Sequence, residues 1–453
     1  MLEKRKSSNN YKCFYCLTVR GCKKVDMKKE DRIEFLKKVY HESYFYHEKW
    51  SVVIENSLDN HSHILEKEDL EAKFLETRFS ELPPLEKEEI VDDALQIMMP
   101  EYLYKYKDND FMPFWTSGST GKCLELYWRL ADCRRSLYPL WFYRYKFYGI
   151  YTWDRHIKFN TISGIGNNEP WMVERDYSLE FSKNNLNEQK LLDIYKAMVD
   201  YKPVWLLLQP CIAELLCWVK EKNNLLAIES VKYIECTGEM LSNKLRMRLV
   251  NNFMCTVSNQ YGMNEVNTIA YECPQGNMHC MESSVCVEIL DDNGEVLPEN
   301  TEGNIYVTSW QNQVMPFIRY GTGDIGILRK NTCSCGHSGK LLSLRKGRKN
   351  DWILTKSGER INAYVFIRSI EIVNMLTEHS IIQFQIIQRG YEEFLVKMVL
   401  NEDILNISKL FIENIGHESL KQATYHFQLC EAIFPNETGK ICVFSSNLSK
   451  ESF

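Results

Sequence analysis

The most informative stretch of the chain is Trp115-Thr116-Ser117-Gly118-Ser119-Thr120-Gly121-Lys122. It lies between two predicted strands, over residues 111–115 and 123–128, and it combines hydroxyl side chains, glycines and a lysine. Glycines let backbone N–H groups approach a polyanion closely, hydroxyls add donors, and an ammonium adds positive charge. The spacing is not that of a Walker A loop. The stretch therefore predicts a phosphate-binding turn, and the alternative is a hairpin turn of small polar residues.

Around this turn the chain alternates between helical and strand patterns. Apolar residues recur at helical spacing in three stretches, over residues 189–200, 211–222 and 242–252. Short apolar runs between them predict strands over residues 204–208, 233–236 and 253–258. Such alternation favours an α/β fold built of layered sheets.

Three segments are predicted along the chain: a basic N-terminal extension over residues 1–30, a large domain over 31–346 and a compact C-terminal α+β domain over 347–453. Within the large domain, a helix is predicted from Glu86 to Met98. Residues 283–330 favour strands instead.

Composition excludes several classes of protein. With 453 residues, 44% apolar and 26% charged side chains, the chain resembles an ordinary globular protein. Its net charge of -6 argues against nucleic acid as a partner. No apolar run reaches the roughly 18 residues of a membrane-spanning helix, and the first residues lack the apolar run of a signal peptide. The 16 cysteines favour a reducing, cytoplasmic location with free thiols or a bound metal.

The turn at 115–122 resembles the signature loop of the adenylate-forming superfamily, which includes the acyl-CoA synthetases. Further stretches resemble other motifs of that superfamily, in the same order along the chain. They are Thr237-Gly238-Glu239, Asn259-Gln260-Tyr261-Gly262-Met263-Asn264-Glu265, Arg319-Tyr320-Gly321-Thr322-Gly323-Asp324, Gly347-Arg348-Lys349-Asn350-Asp351 and Asn436-Glu437-Thr438-Gly439-Lys440. The resemblance implies a large adenylation domain of layered α/β sheets with a β-barrel-like part, and a small mobile α+β C-terminal domain.

Two stretches are most similar to the phenylacetate-CoA ligase and CapK branch of the superfamily. They are Leu82-Pro83-Pro84-Leu85-Glu86-Lys87 and Met315-Pro316-Phe317-Ile318-Arg319-Tyr320. The implied reaction is ATP-dependent activation of a small carboxylic acid as its adenylate, with release of pyrophosphate and transfer to a thiol. The alternatives are transfer to an amine, and a nucleotide-binding module without catalytic activity.

The resemblance also assigns roles to residues. The catalytic residues would be Thr116, Glu265 as a Mg²⁺ ligand, and Lys440 between the carboxylate and the α-phosphate. Residues expected to bind the nucleotide are Ser117, Gly118, Ser119, Thr120, Gly121, Lys122, Gly238, Glu239, Asn259, Tyr261, Gly262, Asp324 and Arg348. Asp324 would accept the ribose hydroxyls, because an ionised carboxylate has two acceptor oxygens.

The sequence departs from the superfamily pattern at two places. The hinge position holds Asn350 where Asp or Lys is usual, and Ile441-Cys442-Val443 follows Lys440 where an Arg is expected. Both departures concern the second half-reaction more than adenylation.

A cysteine and histidine pattern predicts a metal site. Cys273 and His279 precede the strand-rich region, and Cys333 and Cys335 follow it, so the two halves can meet. Thiolates and an imidazole in a tetrahedral shell are the ligands of structural zinc. We predict these four as the ligands, with Cys280 and His337 as alternates; four reduced, partly buried side chains are the other interpretation.

The expected cofactors are therefore ATP, Mg²⁺ and a structural Zn²⁺, with CoA left open. The expected partners are the acid and CoA or an acyl or peptidyl carrier protein, with a homodimer left open and with neither nucleic acid nor a membrane. Cys13, Cys16 and Cys22 form a group without a fourth nearby ligand and are interpreted as thiols of the N-terminal extension.

Overall fold

The computed structural model describes residues 27–59, 67–115, 124–160, 171–183, 186–348, 352–377, 380–400, 404–434 and 443–448. The chain divides into two compact units. The first holds the residues up to Thr152 together with Gln260–Thr322 and Gly326–Leu344. The second holds Trp153–Asn259, Gly323–Ile325 and the residues from Arg345 onward.

The first unit begins with helices Lys29–Glu42, Tyr44–Asp59 and Lys67–Thr77. Residues spaced by three or four positions form the apolar face of the first two helices. These residues are Phe35, Leu36, Val39 and Tyr40 in the first helix and Tyr46, Trp50 and Ile54 in the second, and all are buried.

The prediction of one helix from Glu86 to Met98 is wrong. The structure has a short α-helix, Lys87–Ile90, and a separate 3₁₀ helix, Ala94–Ile97. The side chain of Asp93 accepts a hydrogen bond from the backbone N–H of Leu95 at 3.0 Å. This local cap starts a new turn instead of continuing the first one, as aspartate does at helix N-termini.

The strands predicted on either side of the phosphate-binding turn expected at residues 115–122 are present. Phe111–Trp115 pairs antiparallel with Glu125–Arg129, and helices Leu130–Ser136 and Tyr138–Tyr148 follow. Two further 3₁₀ turns, Phe79–Glu81 and Pro100–Tyr102, also belong to this unit.

The strand-rich region of the first unit forms a sheet. In spatial order its strands are Val285–Leu290, Glu302–Ser309, Tyr320–Arg329, Leu341–Arg348, Met278–Cys280, Asn267–Glu272 and Thr256–Met263. The first two are antiparallel, with Val287 opposite Val307. Strand Thr256–Met263 changes unit between Asn259 and Gln260.

The second unit contains a mostly parallel sheet. Its strands, in spatial order from Thr256–Met263, are Tyr233–Thr237, Trp205–Leu208, His156–Asn160, Ser178–Ser182 and the antiparallel Met172–Arg175. Helices Glu188–Tyr201, Pro210–Lys222 and Asn243–Phe253 bury their apolar faces in the same core as one face of these strands. The predicted alternation is present here, because strands Trp205–Leu208, Tyr233–Thr237 and Thr256–Met263 alternate along the chain with helices Glu188–Tyr201, Pro210–Lys222 and Asn243–Phe253.

The C-terminal part of the second unit is an α+β arrangement. Its four-stranded sheet has the order Thr424–Leu429, Glu393–Leu400, Ile381–Gly390 and Phe444–Ser446. Its other elements are helices Tyr364–Leu376, Ile404–Glu413 and Glu418–Lys421 and the hairpin of Trp352–Leu354 with Arg360–Asn362. Phe366, Phe394 and Phe411 form the centre of its core.

The predicted α/β fold class is confirmed by these sheets and helices. The domain boundaries expected at residues 30 and 346 stay predictions. Of the helices in the described ranges, none has both the length and the apolar composition that crossing a bilayer requires.

Candidate functional site

Glu265 is a buried carboxylate of the first unit. Its side chain belongs to a residue only 3% exposed, and the hydroxyl of Tyr320 donates a hydrogen bond to its Oε1 at 3.2 Å. Burial raises the pKa of Tyr320, and the negative charge of Glu265 raises it further. Tyr320 therefore stays protonated and acts as a donor to the carboxylate. A buried carboxylate of this kind suits a hard cation such as Mg²⁺.

The residue before Glu265 is tied to the strand that leads into the phosphate-type turn. The Asn264 side-chain amide donates to the backbone carbonyl of Trp115 at 3.0 Å. The indole N–H of Trp128 donates to the backbone carbonyl of Asn264 at 2.9 Å. The structure thus brings Glu265 beside both strands that flank the turn. The turn itself, Thr116 to Lys122, lies outside the described residues.

Gly262 lies at an irregularity in the strand that carries the Asn-x-Tyr-Gly motif. The pairing register shifts between Tyr261 and Gly262. A Cβ at Gly262 would overlap the backbone carbonyl oxygen of Asn267, which itself has a left-handed φ of 62°. Glycine is required at this close approach of two backbones. Tyr261, half-buried, packs against the core of the first unit, and Asn259 is buried in the second.

Glu239 lies in the loop between strand Tyr233–Thr237 and helix Asn243–Phe253 of the second unit. It follows Gly238, whose φ of 81° turns the chain after strand Tyr233–Thr237. Its Oε2 accepts the backbone N–H of Cys211 at 2.9 Å, in the first turn of helix Pro210–Lys222, where the helix dipole favours negative charge. Its Oε1 is buried and has no hydrogen-bond partner within the described ranges. Glu239 therefore keeps one acceptor for a ligand.

Lys183 lies near Glu239 and belongs to none of the motifs. Burial lowers the pKa of its ammonium, while Cys211 and the carboxylate of Glu239 act in the opposite direction. Lys183 directly follows the parallel strand Ser178–Ser182. Ligands of open α/β sheets bind at the carboxyl ends of such strands, and this position was the available signal.

The remaining predicted nucleotide residues are less fully described. Asp324 is half-buried within strand Tyr320–Arg329, and Arg348 ends strand Leu341–Arg348. The hinge residues 349–351 and Lys440 lie outside the described residues. The roles assigned to these residues stay predictions.

The cysteine and histidine cluster lies within the first unit. The ligand atoms of Cys273, His279, Cys333 and Cys335 all lie within 4.8 Å of one another. The two sulfur atoms of Cys273 and Cys333 are 3.7 Å apart, and the sulfur of Cys335 lies 3.2 Å from Nε2 of His279. Three thiols and one imidazole are a donor set that fits a tetrahedral zinc ion.

The imidazole of His279 is oriented by the backbone. Its Nδ1 lies 3.1 Å from the carbonyl oxygen of Gly339, which can only accept a hydrogen bond, so Nδ1 carries the proton. Nε2 is then the lone-pair nitrogen that faces the thiols. An outer hydrogen bond of this kind is the usual support of a metal-binding histidine.

The thiols differ in acidity. Burial raises the pKa of Cys273 to about 12. At Cys333, hydrogen bonds from the backbone of Cys335 and from the side-chain amide of Asn277 act against burial, and the pKa is lowered to about 6. Cys333 is therefore ready to act as a thiolate.

Neither alternate ligand belongs to the cluster. Cys280 follows His279 on strand Met278–Cys280, so its side chain points to the opposite face, where it is buried in the hydrophobic core. His337 stacks between Tyr143 and His279, with ring centroids 3.9 Å and 4.6 Å away. Its Nδ1 accepts the backbone N–H of Gly339 at 2.8 Å, which fixes the loop whose carbonyl orients His279.

The chain is similar in sequence to known proteins. Residues 353–447 match the family of the CapK C-terminal domain. The chain is 26% identical over 227 residues to a phenylacetate-coenzyme A ligase of Thermus thermophilus, a match that covers 49% of this chain and 49% of that ligase. It thus spans about half the length of that relative. It is also 21% identical over 407 residues to the protein CapK of Staphylococcus aureus, covering 85% of this chain and 84% of CapK.

Among solved structures, a 2-hydroxyisobutyryl-CoA ligase in the postadenylation state superimposes with a TM-score of 0.65. The match covers 92% of this chain and 89% of that chain at 16% identity, so it shows a shared fold. The motif order, the sequence matches and the shared fold agree, and the resemblance is confirmed. The C-terminal region matches the CapK C-terminal domain family, and the chain as a whole is similar to CapK-like and phenylacetate-CoA ligase-like proteins of the adenylate-forming superfamily.

Proposed function

We propose that this protein is an ATP-dependent ligase that activates a small carboxylic acid as its adenylate and passes the acyl group to a thiol of CoA or of a carrier-protein arm. The observation that carries the proposal is the buried carboxylate of Glu265, hydrogen-bonded by Tyr320 and tied through Asn264 to the strand that leads into residues 116–122. It supports a metal-nucleotide site that involves Glu265 and the glycine- and hydroxyl-rich residues that follow this strand in the sequence.

In this proposal residues 116–122, Thr116 among them, hold the β- and γ-phosphates as pyrophosphate leaves, and Glu265 holds Mg²⁺. Bound Mg²⁺ supplies neutralisation of the charge that develops on the phosphate oxygens. The reaction needs little covalent help from the protein, because positioning and charge neutralisation lower its barrier.

The nucleoside end of ATP is assigned to motif residues between Gly238 and Arg348. Gly238, Glu239 and Asn259 would bind the adenine, with Tyr261 against it or against the acyl group. The free acceptor Oε1 of Glu239 supports this assignment, because adenine offers an amino donor. Asp324 would accept the ribose hydroxyls, and Arg348 would reach the ribose or a phosphate.

Lys440 would bridge the acid carboxylate and the α-phosphate. A lysine suits this role, because its ammonium is a compact charge on a flexible stem. The carboxylate oxygen attacks the α-phosphorus, the bond to the β-phosphate bridging oxygen breaks, and pyrophosphate leaves.

A second acceptor class is favoured by one observation. The family match at residues 353–447 is to the CapK C-terminal domain, and the match to CapK itself is longer than the match to the phenylacetate-CoA ligase. The resemblance to the CapK branch implied an amine acceptor as an alternative, and an amine therefore stays the second candidate for the transfer step.

We also propose a structural zinc ion on Cys273, His279, Cys333 and Cys335. A site closed by four protein ligands leaves no position for a reactive water, so its role would be to hold the loops together.

The test is carboxylate-dependent ATP–pyrophosphate exchange with the full chain over a panel of aryl and short-chain acids. Exchange with at least one acid, followed by thioester formation when CoA or a phosphopantetheine carrier is added, is the expected result. Exchange followed by amide formation only would select the amine route. An absence of exchange across the panel, with ATP binding retained, would favour a nucleotide-binding module without catalysis.

A further inference from the structure

Arg319, the residue before Tyr320, has an unfavourable backbone conformation. Its φ of 48° lies in the left-handed region, which residues with a Cβ rarely adopt. Its side chain is also almost fully buried, with 1% of the residue exposed. Strain of this kind persists only where the surroundings impose it, and it is concentrated at functional sites.

A gain in stability does not account for the burial of the Arg319 guanidinium. Its Nε donates to Oε2 of Glu288 at 3.1 Å and its Nη1 donates to the backbone carbonyl of Leu82. Its Nη2 is buried and has no partner among the residues that the structure describes. A buried ion pair is weak evidence for stabilisation, and an unsatisfied buried donor is destabilising.

The contacts of Arg319 do fix the path of the chain at Tyr320. The backbone N–H of Arg319 donates to the hydroxyl oxygen of Thr308 at 2.8 Å. Its carbonyl accepts the N–H of Leu85 at 2.9 Å, and the N–H of Gly321 donates to the carbonyl of Leu85 at 2.9 Å. The residues before and after Tyr320 are therefore both hydrogen-bonded to the backbone of Leu85, and the hydroxyl of Tyr320 points to Glu265.

We propose that Arg319, with Glu288 as its counter-ion, is a positioning residue for Glu265 and acts on it through Tyr320. The inference rests on the proposed function, in which Glu265 holds Mg²⁺ beside ATP. Outer partners of a metal-binding side chain fix its orientation and so set the affinity for the metal. Arg319 thereby determines how much Mg²⁺ strengthens ATP binding.

The test is calorimetric titration of ATP into the full chain, with and without Mg²⁺. The ratio of the dissociation constant without Mg²⁺ to that with Mg²⁺ gives the gain in ATP affinity that the metal provides, called here the metal-dependent gain. In Arg319→Gly the backbone keeps a conformation that glycine adopts freely, while the guanidinium is lost. The metal-dependent gain is expected to fall on the order of tenfold in this variant and in Tyr320→Phe. ATP binding without Mg²⁺ stays the same.

Tyr306→Phe is the matched control. The hydroxyl of Tyr306 donates to Oε1 of Glu86, a tyrosine–glutamate hydrogen bond of the same kind that does not involve Glu265. Its removal leaves the metal-dependent gain unchanged.

The double variant Arg319→Gly/Tyr320→Phe separates a shared route from independent effects. If Arg319 acts through Tyr320, the double variant loses no more than Tyr320→Phe alone. Losses that multiply would overturn the inference, because independent effects add in free energy.

An unchanged gain in Arg319→Gly, with the wild type showing a clear gain, would refute the inference and leave the proposed function standing. A wild-type chain that binds no ATP would refute both. If Arg319→Gly fails to fold, Glu288→Gln takes its place, because it keeps an acceptor for Arg319 while removing the charge. The inference then requires that Glu288→Gln also lowers the metal-dependent gain.

Discussion

Nδ1 of His279 lies 3.1 Å from the carbonyl oxygen of Gly339, and its Nε2 lies 3.2 Å from the sulfur of Cys335. The backbone thus selects the tautomer that presents a lone pair to three thiols. His337 supports this arrangement, because it accepts the N–H of the same Gly339. One residue, Gly339, therefore contacts both histidines, of which His279 faces the cluster and His337 holds the loop.

The first prediction concerns metal content. Purified full-length protein should contain about one zinc per chain, as a closed four-ligand site requires. Cys335→Ser and His279→Ala should lose it, because three remaining donors no longer close a tetrahedral shell. Cys430→Ser is the matched control, since Cys430 lies outside the cluster, and it should keep the metal. Elemental analysis measures the outcome, and protein without zinc would remove the proposed site.

The second prediction concerns Glu265. Glu265→Gln keeps the size and one acceptor oxygen of the side chain but removes its charge. We expect ATP–pyrophosphate exchange to fall by roughly 10²-fold and the Mg²⁺ concentration at half-maximal rate to rise, because a metal ligand is weakened. The exposed Glu282 is the control position, and Glu282→Gln should exchange at the wild-type rate. Equal rates in both variants would show that Glu265 is not a metal ligand.

The third prediction concerns Lys440. Lys440→Ala should lower adenylate formation by about 10²- to 10³-fold, the loss expected when one preorganised charge beside the reacting groups is removed. The melting temperature should not change. The control is Lys409→Ala, which removes an exposed lysine in the C-terminal part of the chain. An unchanged exchange rate in Lys440→Ala contradicts the assigned role.

The fourth prediction concerns Gly262. Gly262→Ala should lower the free energy of unfolding by about 1–3 kcal/mol, because the new Cβ overlaps the carbonyl oxygen of Asn267 in a packed region. Gly416→Ala should cost little, since a Cβ there meets no atom within 4 Å. Denaturant unfolding measures both variants. A fully stable Gly262→Ala would mean that the backbone at Asn267 can move aside.

The sequence by itself determined the secondary structure of most of the second unit and the residue types at the candidate site. Periodicity of apolar residues is a local property, so helices such as Pro210–Lys222 and strands such as Tyr233–Thr237 follow from it. The helix expected from Glu86 to Met98 failed because Asp93 offers a local cap, and that competition is not visible in periodicity.

Only the tertiary structure decided which distant residues meet. Tyr320 and Glu265 are 55 residues apart in the chain, and His279 and Gly339 are 60 apart, so their contacts depend on the order of strands in the sheet. The choice of His279 over Cys280 in the cluster depends on the face of the strand to which each points. The left-handed backbone of Arg319 is imposed by Thr308, Glu288 and Leu85, none of which is its neighbour in the sequence. The motifs determine which functional groups the chain carries. Pairing between strands that are distant in the sequence determines which of these groups come together.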